Sequence, residues 1–480
     1  MTTRTTTIEV AGLDGTVVAL RQEQLEALVS RLAGTLLRHD DDGWAEAVLV
    51  WNGMVNRRPA LIVQPTSAAD VAAVIEFAAA HRLLLGIKGG GHNIGGTALA
   101  SRGLTLDMSR MREVTVDRDA RRVHAGPGCR LADVDRATQR HGLATVLGFV
   151  SEVGIAGLTL GGGFGYLTRR FGWTADNLEE VEIVTADARV RVASRTENAE
   201  LFWALRGGGG NFGVVTRFTF RLHEVGPTVH GGLIAWPFER ADDVLRTYRT
   251  LTLGAPRELA VWLMLLRAPA APFVPEPWHG RRICAMSVCY TGDPAHVERV
   301  LAPLRPLGEP VVDLLRRQPY VEVQSYLDGT EPKGHHYYWR TEYVAELSDE
   351  LLSTSRDLFA RFTNPAAQLG ILHLGGALNE RDADDGAVGN RDVRYVCGVL
   401  GMWEPQEPQA GAYRASVDEA WRRLRSFGTG GNYVNFQLAE DDHARTVDAY
   451  GKNYERLRRA KAAYDPGNLF RVNRNVVPGT

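Results

Sequence analysis

Cysteine is scarce in this chain, and lysine equally so. The four cysteines, Cys129, Cys284, Cys289 and Cys397, are scattered with no CxxC pair, which excludes a disulfide framework and the usual zinc signatures. They read as four reduced, mostly buried thiols. An excess of charge of either sign is also missing: 55 basic residues face 57 acidic ones, a formal net charge of -2. Such a balance, with no lysine- or arginine-rich tract, offers no field for nucleic acid or an anionic membrane. No apolar run reaches the length of a membrane span, and the start, MTTRTTTIEVAGLDG, lacks the apolar stretch of a signal peptide. A cytoplasmic chain is expected. Metal clusters are missing too: the adjacent His335 and His336 point apart on a strand and cannot share an ion. Only four of the 55 basic residues are lysine, a bias that suggests a GC-rich bacterial genome, a context that fits natural-product tailoring.

What the chain does have is length, balance and glycine. At 480 residues it exceeds one ordinary core, so more than one domain is expected. Ser67 to Leu83 reads as an amphipathic helix capped by Ser67, followed by a strand, Leu83 to Ile87, that runs into GGGHNIGG. Further strands are expected at Leu104 to Asp107, Glu113 to Val116 and Arg122 to Ala125, and a helix at Leu131 to His141. From Gly148 to Gly213 the glycine-rich chain suggests short strands and turns, with a hairpin around Asp187. Val214 to Leu222 alternates as a half-buried strand should. The character changes near Gly226-Pro227. From there to about Gly430, strands (Gly232 to Trp236, Ala260 to Leu266, Ile283 to Tyr290) alternate with helices (Asp242 to Thr250, Ala295 to Pro303, Asp349 to Phe362). That spacing predicts an antiparallel sheet covered by helices, hence an α+β chain. Asp442 to Tyr464 reads as one long helix, followed by the turn DPGN and a final strand. The expected domains are 1-222, 223-430 and a carboxy-terminal segment, 431-480.

Three glycine loops carry the chemistry. In KGGGHNIGG, Lys88 to Gly96, glycines let backbone amides approach an anion with no Cβ in the way. A histidine leaving that loop is held against whatever the loop cradles. GFVSEVGIAGLTLGGGFG, Gly148 to Gly165, is no Rossmann motif, because a preceding strand and a following helix are not evident, and it lacks the GK[ST] of a P-loop. It offers a long run of bare backbone suited to a pyrophosphate. RGGGGNF, Arg206 to Phe212, repeats the device. Three such loops in one half of a chain are hard to explain as turns alone.

Taken in order, GGHNIGG, VGIAGLTLGGGFG, DN, ELFWALRGGGGNFGVVT and YGKNYERLRRAKAAYDPGNLFRVNRN resemble the berberine-bridge-enzyme-like flavoproteins. Those have an FAD-binding domain of the vanillyl-alcohol-oxidase or p-cresol-methylhydroxylase type (PCMH-type) beside a substrate domain. The resemblance spans His92 to Asn475. It implies FAD bonded covalently through its 8α-methyl group to His92, which prevents cofactor loss and raises the flavin potential. The amides of Lys88, Gly89, Gly90, Gly91, His92 and Asn93, with Gly95, are then expected to cradle the pyrophosphate. Gly154, Gly157, Thr159, Gly161 and Gly162 add contacts from the second loop, as does Asn177 in the DN position. Val215 reaches the adenine through its backbone, and Asn473 faces the flavin or its ribityl chain, so the tail returns to the FAD domain.

One departure from the pattern matters. Many relatives carry a second linkage through a cysteine in G-x-C-P-x-V-G, where this chain reads GFVSEVG with Val150 at the cysteine position. A histidyl link with no cysteinyl link is therefore expected. Val153 falls where the family places a gate beside flavin C4a, and a valine there leaves room for dioxygen. This implies an oxidase that produces hydrogen peroxide. Tyr433, in the family's YxN segment with Asn435, is the expected base; a tyrosine can serve if a positive charge or strong hydrogen bond lowers its pKa. Tyr433 and Asn435 are read as alternate residues of a strand, pointing the same way. GHHYYWRTEY and ILHLGG lie in segments that roof the flavin in relatives, making Tyr338, Arg340 and His373 candidate substrate contacts. The implied partners are a small organic substrate (alcohol, sugar hemiacetal or amine) and dioxygen. A dehydrogenase with another acceptor and an oxidative ring-closing enzyme are the alternatives.

Overall fold

The computed structural model describes residues 7-479. Part of the segment read for a signal peptide, residues 1-6, lies outside them. Among the described residues no helix is long and apolar enough to cross a membrane, and no cluster of His, Cys, Asp or Glu could hold a metal ion.

The first half builds two sheets. A hairpin of Thr7–Ala11 and Val17–Arg21, unforeseen from the sequence, precedes a four-stranded sheet. Its order is Thr35–Leu37, Leu61–Gln64, Leu104–Asp107, Leu85–Lys88, with the last three strands parallel. Parallel neighbours need a crossover, here the helix Ala68–Ala80. Ser67 caps it by accepting from the Asp70 amide at 3.1 Å. Asp70 in turn accepts from the amides of Ala33, Gly34 and Thr66, which hold its carboxylate below the usual range against the cost of burial. Val71, Val74, Ile75 and Ala78 pack the helix onto the sheet. Strand Leu85–Lys88 thereby delivers the glycine loop and His92 from its carboxyl end.

A five-stranded antiparallel sheet follows, in the order Val190–Ser194, Leu178–Val184, Val214–Arg221, Arg122–Ala125, Val114–Asp117. The hairpin around Asp187 forms as expected, with Ala188 at φ +59° in its turn. Strand Val214–Arg221 is more covered than its alternation suggests, only Arg217 and Arg221 being exposed.

Thr228 begins an eight-stranded antiparallel sheet. Along it run Val312–Asp313, Thr228–Pro237, Arg282–Tyr290, Leu259–Arg267, Gln368–His373, Tyr395–Trp403 and His336–Val344, with Arg316–Pro319 also pairing with Thr228–Pro237. Helices Ala241–Leu253, Asp349–Arg361 and Ala410–Leu424 cover one face through Val244, Tyr248, Leu351, Phe359 and Val417. The other face meets the first half. On strand Leu259–Arg267, Val261 and Leu263 join the helix-side core, whereas Ala260 and Trp262 pack with Phe164, Tyr166 and Trp173. The period of two thus assigns one stripe of each central strand to each core.

Four expectations need correction. The glycine-rich stretch contains a six-residue helix, Ile155–Leu160, where short strands were expected, and another helix, Ala199–Leu205, follows. The helix read at Ala295 to Pro303 is broken into Pro294–His296, Val297–Val300 and Ala302–Leu307, since Pro303 has no amide to continue the ladder. Residues 442-464 form two helices, His443–Tyr450 and Tyr454–Tyr464, because Gly451 takes φ +51° between them. No strand ends the described chain. Lys461 fastens the tail instead, donating from a fully buried ammonium to the Asn211 and Phe470 carbonyls and to Asp465 at 2.7 to 2.9 Å.

Candidate active site

A cavity of about 260 Å³ lies where the two halves and the tail meet. One stretch of its wall is aliphatic, from Leu85, Ile87, Met108, Val214 and Val215. Another is bare backbone: Gly89 to Gly91, Gly154, Gly157, Gly161 and Gly209 to Gly210. A third is aromatic, with Trp51, Phe149, Phe164, Trp339, Tyr433 and Phe436.

The backbone stretch needs glycine for closeness. A Cβ on Gly90 would lie 2.4 Å from the Gly154 nitrogen, and one on Gly161 would lie 2.1 Å from Asn435 Oδ1. The first two glycine loops therefore touch through their main chains. Arg130 locks them together, its Nη1 donating to the carbonyls of Gly90 at 2.6 Å and Glu152 at 2.9 Å. From Gly89 to Asn93, no backbone amide donates to an acceptor among the described residues. Consecutive amides facing a cavity in this way form an anion-binding concavity. Asn473, on the same wall, keeps a buried Oδ1 without a partner while its amide donates to Gly210 and Phe470. A cofactor with a diphosphate centre, a purine end and a flat ring fits this donor set and these apolar slots, so the residues present suit FAD.

His92 leaves the amide row half-buried, its ring stacked on Trp51 at 5.6 Å and 16°. Burial, then the charges of Arg130 and Lys333, push its pKa down to about 3, against a hydrogen bond to the Glu152 carbonyl. The imidazole is therefore neutral near pH 7, and a neutral imidazole has a lone pair to give to an electron-poor carbon. Val150 and Val153 line the same cavity. Cys129, the nearest cysteine in sequence, is buried elsewhere, against the Glu113 carbonyl.

Tyr433 and Asn435 come together, though not as strand residues. Tyr433 precedes a turn of 3-10 helix, Val434–Phe436, which folds the Asn435 amide back onto the phenol oxygen at 2.9 Å. The Gly163 amide donates to the same oxygen at 3.1 Å. Two donors favour the phenolate, yet burial outweighs them and holds the pKa above its ordinary value. No cation offsets that burial, so hydrogen bonding is the lever this site uses.

Several expected contacts are not on the wall. Lys88 lies beneath the loop, donating to the Ala47 carbonyl at 2.7 Å, with Asp107 at 3.5 Å. Gly95, Thr159 and Gly162 do not line the cavity; a Cβ on Gly95 would meet Ala439 and Arg474, and one on Gly162 would meet Val388. Asn177 instead borders a separate surface cleft, bonding His223 at 2.6 Å and the Phe171 and Trp173 carbonyls. His373 is buried against Arg169 Nη1 at 2.7 Å, with its pKa driven down to about 2 by burial and then Arg169. Tyr338 and Arg340 face the helix side of the sheet, where Tyr338 donates to Asp418 at 2.9 Å and Arg340 pairs with Asp441. Their neighbour Trp339 lines the cavity, one residue out of phase with the expected contact.

Trp51 was also missed, and it joins the two halves. Its amide donates to the Gly91 carbonyl, its indole to Glu331, and its carbonyl accepts from Gly334. Beside it, buried Asn52 donates to the carbonyls of Ile94 and Tyr337 at 2.9 Å each, and accepts from the Tyr337 amide. The only sequence signal was a Trp-Asn-Gly turn well upstream of the glycine loops.

A family model described as an FAD binding domain matches residues 59–194, and another, described as berberine and berberine like, matches residues 432–477. An FAD-linked oxidoreductase of Dictyostelium discoideum is 30% identical over 434 residues, covering 89% of this chain and 91% of the relative. The (R)-6-hydroxynicotine oxidase of Paenarthrobacter nicotinovorans is 29% identical over 463 residues, 93% and 97% of the two chains. The crystal structure of 6-hydroxy-D-nicotine oxidase from Arthrobacter nicotinovorans superposes with a TM-score of 0.81 at 27% identity, covering 93% of this chain and 98% of that one.

Proposed function

Since the chain belongs to the berberine-like family of FAD-linked oxidoreductases, we propose that it is an oxidase with FAD bonded covalently to His92 alone. Its substrate is a small organic alcohol, hemiacetal or amine, and dioxygen is the final acceptor. The observation that carries this reading is His92 itself: a neutral imidazole in the cavity wall, at the end of a row of amides open to an anion.

When bound, FAD supplies the hydride acceptor and is reoxidised by dioxygen, giving hydrogen peroxide. The amides of Gly89 to Asn93 would hold its diphosphate, and His92 would carry the link to the 8α-methyl carbon. Val150 offers no second link. Asn435 and the Gly163 amide orient Tyr433 so that its phenol oxygen takes the proton the substrate loses. The aromatic wall excludes water from that proton transfer. Val153, a small side chain on the same wall, would leave dioxygen an approach. Four buried, unpaired thiols suit a reducing cytoplasm.

The experiment is an SDS gel of the purified protein, acidified and viewed for flavin fluorescence, run beside His92→Ala. Fluorescence that stays with the chain and vanishes in the variant supports the histidyl link; flavin at the dye front refutes it. Oxygen uptake with a competent substrate then separates an oxidase from a dehydrogenase using another acceptor.

A further inference from the structure

Glu331 is the one acidic residue on the cavity wall among the described residues. It sits in the loop before strand His336–Val344, and that loop is fixed in place. The Glu331 carbonyl accepts from the Trp51 indole at 3.0 Å, the Gly334 amide donates to the Trp51 carbonyl at 2.9 Å, and the Gly53 amide donates to the His335 carbonyl at 2.7 Å. Its backbone is pinned, whereas its carboxylate meets no hydrogen-bond donor. Burial, with the nearby Asp328 carboxylate, pushes its pKa up to about 8. Asp328 is itself held by the Ser151 amide at 2.7 Å and hydroxyl at 2.6 Å.

The wall around Glu331 is a chain of rings. Trp51 meets Trp339 at 5.3 Å, Trp339 meets Phe436 at 5.7 Å, Phe436 meets Phe164 at 6.0 Å, and Phe164 meets Phe149 at 5.7 Å. On the wall, Asn435 donates to Tyr433, Asn473 to Gly210 and Arg474 Nη2 to Leu438, while the Tyr450 hydroxyl and Arg474 Nε are buried without partners. A sugar carries a hydroxyl on nearly every carbon and needs a partner for each. Around Glu331 it would meet rings. A cation, by contrast, finds both complements it requires, an unpaired carboxylate and aromatic faces.

Resting on the reading of this cavity as a flavin active site, we propose that Glu331 is a specificity-determining residue that receives the protonated nitrogen of a small arylalkyl amine, with the substrate ring against Trp339 and Phe436. An ammonium supplies the partner that the buried carboxylate lacks, so binding and ionisation of Glu331 support one another. The role is recognition; it leaves the proton chemistry at Tyr433 unchanged.

The test is an anaerobic titration of the holoenzyme, read by perturbation or bleaching of flavin absorbance. The probes are phenethylamine against 2-phenylethanol, tryptamine against tryptophol, and cellobiose as the sugar. At about pH 8.5 the carboxyl is largely ionised and the amines are still charged. Each amine is expected to bind about tenfold or more tighter than its alcohol, as a charge-assisted hydrogen bond gives. Glu331→Gln brings each pair within about threefold, and Glu331→Asp, with a shorter reach, leaves an intermediate preference. Retained flavin in each variant shows that it has folded. Alcohols or cellobiose binding as tightly as the amines, a preference that survives Glu331→Gln, or no spectral response to any probe overturns the proposal. A chain that holds no flavin at all defeats the oxidase reading instead.

Discussion

As the proposed base, Tyr433 would accept a proton although burial raises its pKa, so that role would depend on the two donors at its oxygen. Replacing it with phenylalanine removes the acceptor and leaves the ring packing. Tyr433→Phe is expected to slow flavin reduction by about 10²- to 10⁴-fold while flavin stays bound. Anaerobic stopped-flow reduction checks this. The sign with pH follows: a group with a raised pKa ionises only towards alkaline pH, so the wild-type reduction rate climbs as pH rises and the variant's does not. Val153 works at the same scale. A Val153→Leu change is expected to slow reoxidation in air by about tenfold or more, or ~1.4 kcal/mol of barrier, measured by recovery of oxidised flavin absorbance. The glycine loops and His92 were legible in the sequence because what glycine permits is local to its own backbone. Trp339 was not. In HYYWRTEYV, bulky residues occupy both faces of the strand, and nothing in the string marks which phase meets the cavity. His373 was misread for a related reason: its partner Arg169 lies 204 residues away.

Among the elements, helix Leu131–Gln139 and the short helix Tyr320–Gln324 show how one buried group can tax a contact between the halves. Asp135 is buried, accepts from Gln324 at 3.1 Å through one oxygen and leaves the other unpartnered, while Gln324 also donates to the Gly148 carbonyl at the start of the second glycine loop. Burial raises the Asp135 pKa to about 7. The folded state therefore binds a proton that the unfolded state releases, and stability falls as pH rises from the unfolded pKa near 4 to the folded value near 7. Asp135→Asn is expected to stabilise the fold at pH 8 by on the order of 2–4 kcal/mol, raising the melting temperature, with the gain fading as pH falls from about 7 to about 4. Thermal unfolding across that range tests it; a constant gain would refute the assignment. Helix Ala68–Ala80 was legible because its cap Ser67, Asp70 and an apolar stripe are contiguous in sequence. The break at Gly451 was not, since the apolar periodicity on either side runs on undisturbed.

Across the whole molecule, the cavity is owned by no single part of the chain. Asn52 ties the His92 loop to strand His336–Val344 through three buried hydrogen bonds. Asn52→Ala strands the Ile94 and Tyr337 groups, at a cost of about 2–4 kcal/mol. Its expected signature is a lower melting temperature together with incomplete flavin attachment, read as the ratio of flavin to protein absorbance. The staple between the glycine loops and the large sheet was not readable from the sequence, because Trp51 and Asn52 bond partners 280 and 285 positions away. The same dispersal sets a clock on biosynthesis. Wall residues run from Trp51 to Arg474, and the buried Lys461 ammonium holds the carbonyl of one of the last, Phe470. A nascent chain still missing those residues in the ribosomal tunnel has its amide row but an open chamber around it. Cofactor capture must therefore follow translation of the tail, making it a maturation step that can lag behind synthesis whenever the cell's flavin supply is short.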